Sequence, residues 1–175
     1  MFDDKYLAEF IYGSIDGLIT TFAIVSGSIG GNLPYNVILI LGLSNVVADG
    51  YSMGISRYSS YETEKSTLDK DKLTSSIITF ASFVIIGLIP IIPFIFLKKD
   101  AEYVSFSLTM LMFFVIGCIK GHLVNKEHKK NDMSGKSNYI QNKKKTISVC
   151  LETLLIGLSA SIISYSIGRF LSKYN

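Results

Sequence analysis

The sequence predicts an all-α polytopic membrane protein, a single domain that crosses the bilayer with five transmembrane helices. Of its 175 residues, 49% are hydrophobic and only 18% are charged, and the mean hydropathy is +0.39. So few charges with a positive mean hydropathy are too apolar for an ordinary soluble domain, and the chain is too short for two domains. Five windows each hold about 20 predominantly apolar residues, the length that a helix needs to cross a bilayer. These windows lack the alternating pattern of lipid-facing β-strands, so helices are predicted rather than a barrel.

The five predicted spans run along the whole chain. They cover residues 9–29, 35–58, 73–97, 102–124 and 147–170. The first span follows the start MFDDKYLAEF, which begins with acids, whereas a secretory signal peptide begins with basic residues, so we expect this span to be retained. In the third span, Pro90 and Pro93 each remove a backbone donor and are expected to bend the helix.

The basic residues predict the orientation of the spans. The connection after the fourth span, KGHLVNKEHKKNDMSGKSNYIQNKKK, contains eight lysines, while GGNLPYN between the first two spans contains none. Because basic connections stay on the cytoplasmic side, we expect the N-terminus in the cytoplasm and the C-terminus outside the cell or in a lumen. The lysines suit anionic membrane lipid, and without a folded context or aromatic stacking positions we expect no nucleic-acid partner. Cys118 and Cys150 then fall on the reducing side, so we expect no structural disulfide.

Ionisable residues inside the spans are the first candidates for function. Such a residue costs about 2.5–3.5 kcal/mol to insert and by default marks an ion path or a polar partner. In the first span, Glu9 and Asp16 lie seven residues apart, so they share one face of a helix with Thr20. An interfacial position near the cytoplasmic end is an alternative explanation for Glu9.

The second span repeats this polar stripe. Asn45, Asp49, Met53 and Arg57 follow one another at four-residue steps, which stacks them along one side of a helix. Carboxylate and amide oxygens suit hard ions, whereas a thioether favours softer transition metals, so the mixed set predicts a borderline divalent ion such as Fe²⁺ rather than Ca²⁺ or Mg²⁺. Two alternatives stay open. Met53 would serve as a filler of the core, and Asp49 would form a structural ion pair with Arg57 or with a lysine.

Glycines at four-residue spacing flank the acids in both stripes. Gly13 with Gly17, and Gly50 with Gly54, form the small faces that let membrane helices pack closely. We expect these faces to bring the two polar stripes within ligand distance of one ion.

These motifs occur in the order and spacing of a known family. YGSIDGLITTFAIVSG resembles the first-span signature of the vacuolar iron transporter family, and LSNVVADGYSMGISRYSSYETE resembles its second span. GLIPIIPF, GCIKG and LETLLIGLSASIISYSIG are similar to parts of its third, fourth and fifth spans. The likeness covers nearly the whole chain.

The resemblance implies a five-helix protomer and a homodimer with a path between the protomers. It also implies export of Fe²⁺ or Mn²⁺ from the cytoplasm in exchange for protons. By position, Asp16 and Met53 would match pathway residues of the first and second helices, and Glu9 an acid two turns before Asp16. Glu64 would match a glutamate at the cytoplasmic entrance.

The chain departs from the family pattern in two places. Iron-transporting members commonly carry an acid at the position of Asn45, and Asp49, one turn further, would replace it here. Other members insert a cytoplasmic metal-binding domain between the second and third spans, where this chain has only SSYETEKSTLDKDK. The chain therefore resembles the shorter branch of the family, in which Glu62 and Glu64 would still attract cations.

We therefore expect a divalent-metal transporter that works by proton antiport. The expected path passes Glu62 and Glu64, reaches Glu9, and leads to the mid-membrane set Asp16, Asp49 and Met53. Protons would reload the acids and expel the ion, because a protonated carboxylate loses its attraction for a cation. The ion is cargo, so we expect neither a bound cofactor nor enzymatic activity. The membrane would be that of a vacuole or acidic organelle, or the cell membrane of a single-membraned microbe.

Three alternatives accompany this prediction. Mn²⁺ would serve as the main cargo with the same ligands, because affinity alone separates neighbouring metals poorly. An intramembrane phosphotransferase would need an arginine and further aspartates after its Asp-Gly pair, and LITTFAIVSG has none. A non-transporting membrane interaction protein would use the glycine faces and the basic connection, and would tolerate neutralisation of Asp16 and Asp49.

Overall fold

Long helices account for most of the structure. The computed structural model describes residues 4–63, 69–97, 99–131 and 139–174, and within its helices it describes side chains for 6–61, 71–96, 101–125 and 146–171. The helices in this part of the chain are α1 (Asp4–Gly30), α2 (Tyr35–Thr63), α3 (Asp69–Gly87), α4 (Ile92–Phe96), α5 (Ala101–Asn131) and α6 (Tyr139–Leu171). The predicted all-α class is confirmed for these residues.

Four of the helices are long and apolar enough to cross a membrane. The qualifying segments are Tyr6–Gly30, Tyr35–Tyr61, Ala101–Asn125 and Thr146–Leu171. They correspond to the first, second, fourth and fifth predicted spans. The chain is therefore an integral membrane protein, since apolar helices of this length match the thickness of a bilayer core.

The third predicted span, over residues 73–97, is not confirmed as a continuous helix. Helix α3 ends at Gly87, and α4 is only five residues long. Pro90 has no backbone N–H, so the regular four-residue hydrogen bonds of the helix stop here. The Ile89 N–H instead donates to the Ile86 carbonyl, three residues back, at 3.1 Å. The Ser105 hydroxyl of α5 donates to the freed Pro90 carbonyl at 2.6 Å. Two prolines thus break the span where the sequence predicted only a bend.

Helix α1 lies at the centre and runs parallel to α3 and α6. At its N-terminal end the Tyr6 hydroxyl donates to Asp71 of α3 at 3.1 Å. Near its C-terminal end the Ser26 and Ser161 hydroxyl oxygens of α1 and α6 lie 2.9 Å apart. Helices α2 and α5 run in the opposite direction. The C-terminal part of α5 and the N-terminal part of α6, which flank the lysine-rich connection, therefore lie at the same end as Glu9.

The apolar core forms two clusters along α1. One contains the buried side chains of Leu18, Phe22, Phe113 and Ile116, between α1 and α5. The other joins the C-terminal half of α1 to α2 and α4. Neither cluster includes Asn45, Asp49, Met53 or Arg57 of α2, whose side chains are half-buried.

The glycines flanking the acids pack against α3. A Cβ atom built on Gly17 would lie 3.0 Å from Phe83 Cα, and one on Gly54 would lie 3.1 Å from Phe80 Cβ. Gly13 and Gly50 also face α3. These glycines therefore do not pack against each other: they seat α1 and α2 side by side on the same third helix. That they bring the two polar stripes within ligand distance of one ion stays a prediction.

Candidate metal site

The predicted polar side of α2 is present in the structure. Asn45, Asp49, Met53 and Arg57 all lie within one uninterrupted helix, and all four side chains are half-buried. The Asn45 amide donates to Asp49 Oδ2 at 2.7 Å. The alternative in which Asp49 pairs with Arg57 is not what the structure contains, because Arg57 pairs with Glu9 instead. Asp49 thus keeps lone pairs for a further partner.

On α1, Asp16 lies near an acid of α2. Asp16 is half-buried, and the Asp49 carboxylate of α2 lies within its electrostatic reach. Thr20, the third member of the predicted stripe, donates its hydroxyl to the Asp16 backbone carbonyl at 2.7 Å. Two carboxylates from neighbouring helices that repel each other form an arrangement that a shared cation would stabilise.

Glu9 is enclosed by polar partners from α2 and α3. Its side chain is 5% exposed. Arg57 Nε lies 2.8 Å from each of its carboxylate oxygens, and Arg57 Nη2 also contacts Oε1. The Tyr61 hydroxyl donates to Oε1 at 3.1 Å. The Thr79 hydroxyl lies 3.2 Å from Oε2 and 2.9 Å from the Ser75 carbonyl, so the two acceptors share its single proton. Helices α1, α2 and α3 therefore meet at one carboxylate.

A cavity connects this cluster with the thioether. It has a volume of about 430 Å³ and is lined by Ala8, Glu9, Tyr12, Met53, Ser56, Arg57 and Ser60. Glu9 and Met53, predicted from separate helices, thus line the same space. Asp16 and Asp49 do not line it. They lie one helical turn further from the Glu9 end of the bundle: Asp16 follows Tyr12 on α1, and Asp49 precedes Met53 on α2.

The remaining predicted residues cannot be placed at the site. Glu64 lies outside the described residues, and Glu62 lies within α2 but its side chain is outside the described ones. Among the described side chains there is no group of three or more His, Cys, Asp or Glu residues suited to a metal. The donor set of one chain therefore consists of separated carboxylates, an amide and a thioether.

The polar side of α2 is open in the single chain. Ser52 and Ser56, beside Met53, are exposed, and Tyr12 of α1 is 60% exposed. Hydroxyl groups facing hydrocarbon would be unfavourable. This surface therefore calls for water or protein against it.

From the sequence, Tyr61 fits an interfacial aromatic belt without a site role and Thr79 carries no signal, although both contact Glu9 directly. Tyr61 follows Arg57 by four residues, a spacing at which side chains meet on a helix, and its ring lies 4.5 Å from the guanidinium carbon. Thr79 had no comparable signal, because it reaches Glu9 from another helix 70 residues along the chain.

Comparison with known proteins adds a family match and several relatives. The sequence model of the VIT family matches residues 7–74 and 67–169. A protein of Toxoplasma gondii named "Vacuolar iron transporter" is 39% identical over 67 residues, which cover 38% of this chain and 22% of that protein. A protein of the same name from Plasmodium berghei is 47% identical over 58 residues, covering 33% of this chain and 21% of its own length.

A third relative, from Plasmodium falciparum, carries the same name. It is 39% identical over 70 residues, or 40% of this chain and 26% of its own length. The chain therefore spans about a quarter or less of the curated relatives it matches, whereas the family model covers most of it.

Proposed function

The chain belongs to the VIT family, and from that premise we propose that it moves divalent metal ions, Fe²⁺ or Mn²⁺, across a membrane and out of the cytoplasm in exchange for protons. The matched relatives are named vacuolar iron transporters, which supports iron as a cargo. The proposal rests on the residues of α1 and α2 described above.

The observation that carries the proposal is the shared cavity of Glu9 and Met53. An acid and a thioether from two helices line one space of about 430 Å³, and Asp16 and Asp49 continue the same sides one turn deeper. Carboxylates supply hard oxygen donors and Met53 a soft sulfur, a combination that suits a borderline divalent ion. A core methionine used only for packing would have no reason to share a cavity with a buried carboxylate.

A second copy of the chain would complete the path. The exposed hydroxyls of Ser52 and Ser56 and the half-buried Asp49 and Met53 lie on the uncovered side of α2. Pairing two protomers through this side would remove the hydroxyls from lipid and double the number of donors around one ion. We therefore propose a homodimer with the ion path between the protomers.

The proposed direction follows from the charges at one end of the bundle. The helices that flank the lysine-rich connection lie at the same end as Glu9, and basic segments stay cytoplasmic. The ion would enter there, past Glu62 and Glu64, and move towards Asp16 and Asp49. Protonation of these carboxylates from the opposite side would discharge the ion, because the neutral acid does not attract a cation.

Uptake of Fe²⁺ into proteoliposomes, with and without an imposed pH gradient, tests this function. We expect uptake that rises when the gradient drives protons in the opposite direction, and loss of uptake in Asp16→Asn. Asp100→Asn is the matched control, because Asp100 is exposed at the start of α5 with a φ of 60° that asparagine also adopts. Normal uptake by Asp16→Asn would reject the role of Asp16, whereas wild-type protein that takes up no Fe²⁺ would favour a non-transporting membrane protein.

A further inference from the structure

Arg57 is bound to the Glu9 carboxylate, which the proposed ion path needs as a ligand. Its guanidinium contacts both oxygens of Glu9, while Tyr61 and Thr79 donate to the same carboxylate. The Glu9 side chain is 5% exposed, but that of Arg57 is 31% exposed and lines the cavity. The acid is therefore enclosed, and the cation is the partner with room to move.

The geometry points to Arg57 as a tethered cation that holds Glu9 until an arriving divalent ion displaces it. This inference rests on the proposed function. A carboxylate has about four lone-pair sites, and the guanidinium and two hydroxyls fill most of them here, so a metal ion gains Glu9 only after Arg57 leaves. Arginine stays charged throughout the accessible pH range. The exchange is therefore a movement of the side chain, driven by competition between two cations.

The surroundings provide a place for the displaced guanidinium. Arg57 Nη1 already lies 3.4 Å from the Ser60 hydroxyl, and Ser56 and Ser60 line the same cavity. After Arg57 moves, Glu9 keeps the hydroxyl donors of Tyr61 and Thr79. For a purely structural ion pair, removal of the arginine would bring no gain in metal affinity and would only leave a buried charge without its partner, which destabilises a protein.

Transport kinetics of the full chain in proteoliposomes separate these two roles. We expect Arg57→Gln to lower the KM for Mn²⁺ by about tenfold, because the ion no longer competes with charge-assisted bonds, and to change the maximal rate less. Arg57→Lys keeps the charge but not the two-pronged contact, so its KM should fall between those of wild type and Arg57→Gln. In the double variant Glu9→Gln, Arg57→Gln the gain should disappear, since the carboxylate itself is gone.

Each outcome decides between the proposals. An unchanged or higher KM in Arg57→Gln, with thermal unfolding like that of wild type, overturns the tethered-cation role and leaves metal transport intact. If Arg57→Gln does not fold, an Arg57→Lys variant with a KM at or above that of wild type overturns it equally. Wild-type protein that moves neither Mn²⁺ nor Fe²⁺ would instead reject the proposed function.

A separate observation concerns the two cysteines. The sulfur atoms of Cys118 on α5 and Cys150 on α6 lie 3.0 Å apart, and both thiols are free. The two helices approach closely here, because a Cβ atom on Gly117 would lie 2.9 Å from Cys150 Cα. Cys150 is buried and Cys118 is half-buried, so an oxidant reaches Cys118 first.

We infer that this thiol pair is a site of reversible oxidation to an intrachain disulfide. A peroxide transfers one oxygen to the Cys118 sulfur, which gives a sulfenic acid and one water molecule. The Cys150 sulfur then displaces the hydroxyl group, its proton leaves with that group as a second water, and the S–S bond forms. The two thiols lose two electrons and the peroxide gains them. The sulfurs need to approach by about 1 Å to reach disulfide length. On the cytoplasmic side such a bond is transient, since the reducing poise restores the thiols.

Thiol counting on the purified full chain tests the pair. After hydrogen peroxide treatment and denaturation, we expect both cysteines of a chain to resist a maleimide label together, to recover it after dithiothreitol, and to cross-link no two chains. In Cys150→Ser, the label should return to Cys118 once its sulfenic acid is reduced, with no disulfide formed. Two thiols that stay labelled after peroxide, or a disulfide that joins separate chains, would overturn the inference.

Discussion

Gly17→Ala tests whether α1 and α3 pack as closely as the structure indicates. A Cβ atom on residue 17 would lie 3.0 Å from Phe83 Cα and 3.1 Å from its carbonyl carbon. These are backbone atoms, which cannot rotate away, so the two helices must separate. Overpacking costs about 1–3 kcal/mol, and rigid neighbours place this site at the upper end. Alanine returns about 1 kcal/mol of helix propensity, so we expect a net loss of about 2 kcal/mol.

Unfolding of the purified protein in detergent measures this loss, and Gly54→Ala is the control. The nearest atom to a Cβ on Gly54 is Phe80 Cβ at 3.1 Å, followed by the Ser76 carbonyl at 3.4 Å. This contact is milder because its nearest atom belongs to a side chain, whereas the atoms around a Cβ on Gly17 belong to the backbone. The gain in helix propensity and the loss from overpacking should therefore nearly cancel in the control. A Gly17→Ala variant as stable as wild type, or more stable, would refute the close approach, because only the propensity gain would then remain.

Three further experiments have expected outcomes. Met53→Leu keeps the volume but removes the sulfur, so competition assays should show Fe²⁺ losing roughly tenfold in transport affinity relative to Mn²⁺; equal losses for both ions would argue against a thioether ligand. A double-mutant cycle with Ser26→Ala and Ser161→Ala should give a coupling of about 0.6 kcal/mol in detergent unfolding, typical of a hydroxyl bond between membrane helices. Thr79→Val removes a donor to the buried Glu9 carboxylate and should destabilise the protein by about 1.5–3 kcal/mol in the same assay; an unaltered midpoint would show that this bond contributes little.

The helices were predictable because hydropathy and length report directly on membrane crossing. Four predicted spans correspond to qualifying helices. The third does not, because a hydropathy window counts apolar residues only. It takes no account of the backbone N–H that Pro90 lacks within the apolar run. The glycine spacing correctly marked faces of close packing. It did not identify which helix packs against these faces, because a small face fits any neighbouring helix. In the structure that helix is α3.

For the site, sequence spacing was sufficient within one helix and insufficient between helices. The four-residue steps placed Asn45, Asp49 and Met53 on one side of α2, as the structure has them. The partner of Arg57 was not predictable from that spacing, because Glu9 approaches from α1 and is 48 positions away. Such pairings depend on how the helices are arranged around one another, which single-helix periodicity does not record.

The seating of α1 and α2 on α3 limits which motions this protein can use. Backbone contacts at Gly17 leave no slack through which α1 could slide along α3 or part from it without breaking the packing, and Gly54 keeps α2 in contact with the same helix. In the proposed transporter, alternating exposure of an ion would then have to come from rocking of one protomer against the other, with side chains such as Arg57 moving locally. A disulfide engineered between α1 and α3 should accordingly leave transport intact, whereas one that joins the α2 helices of two protomers should stop it.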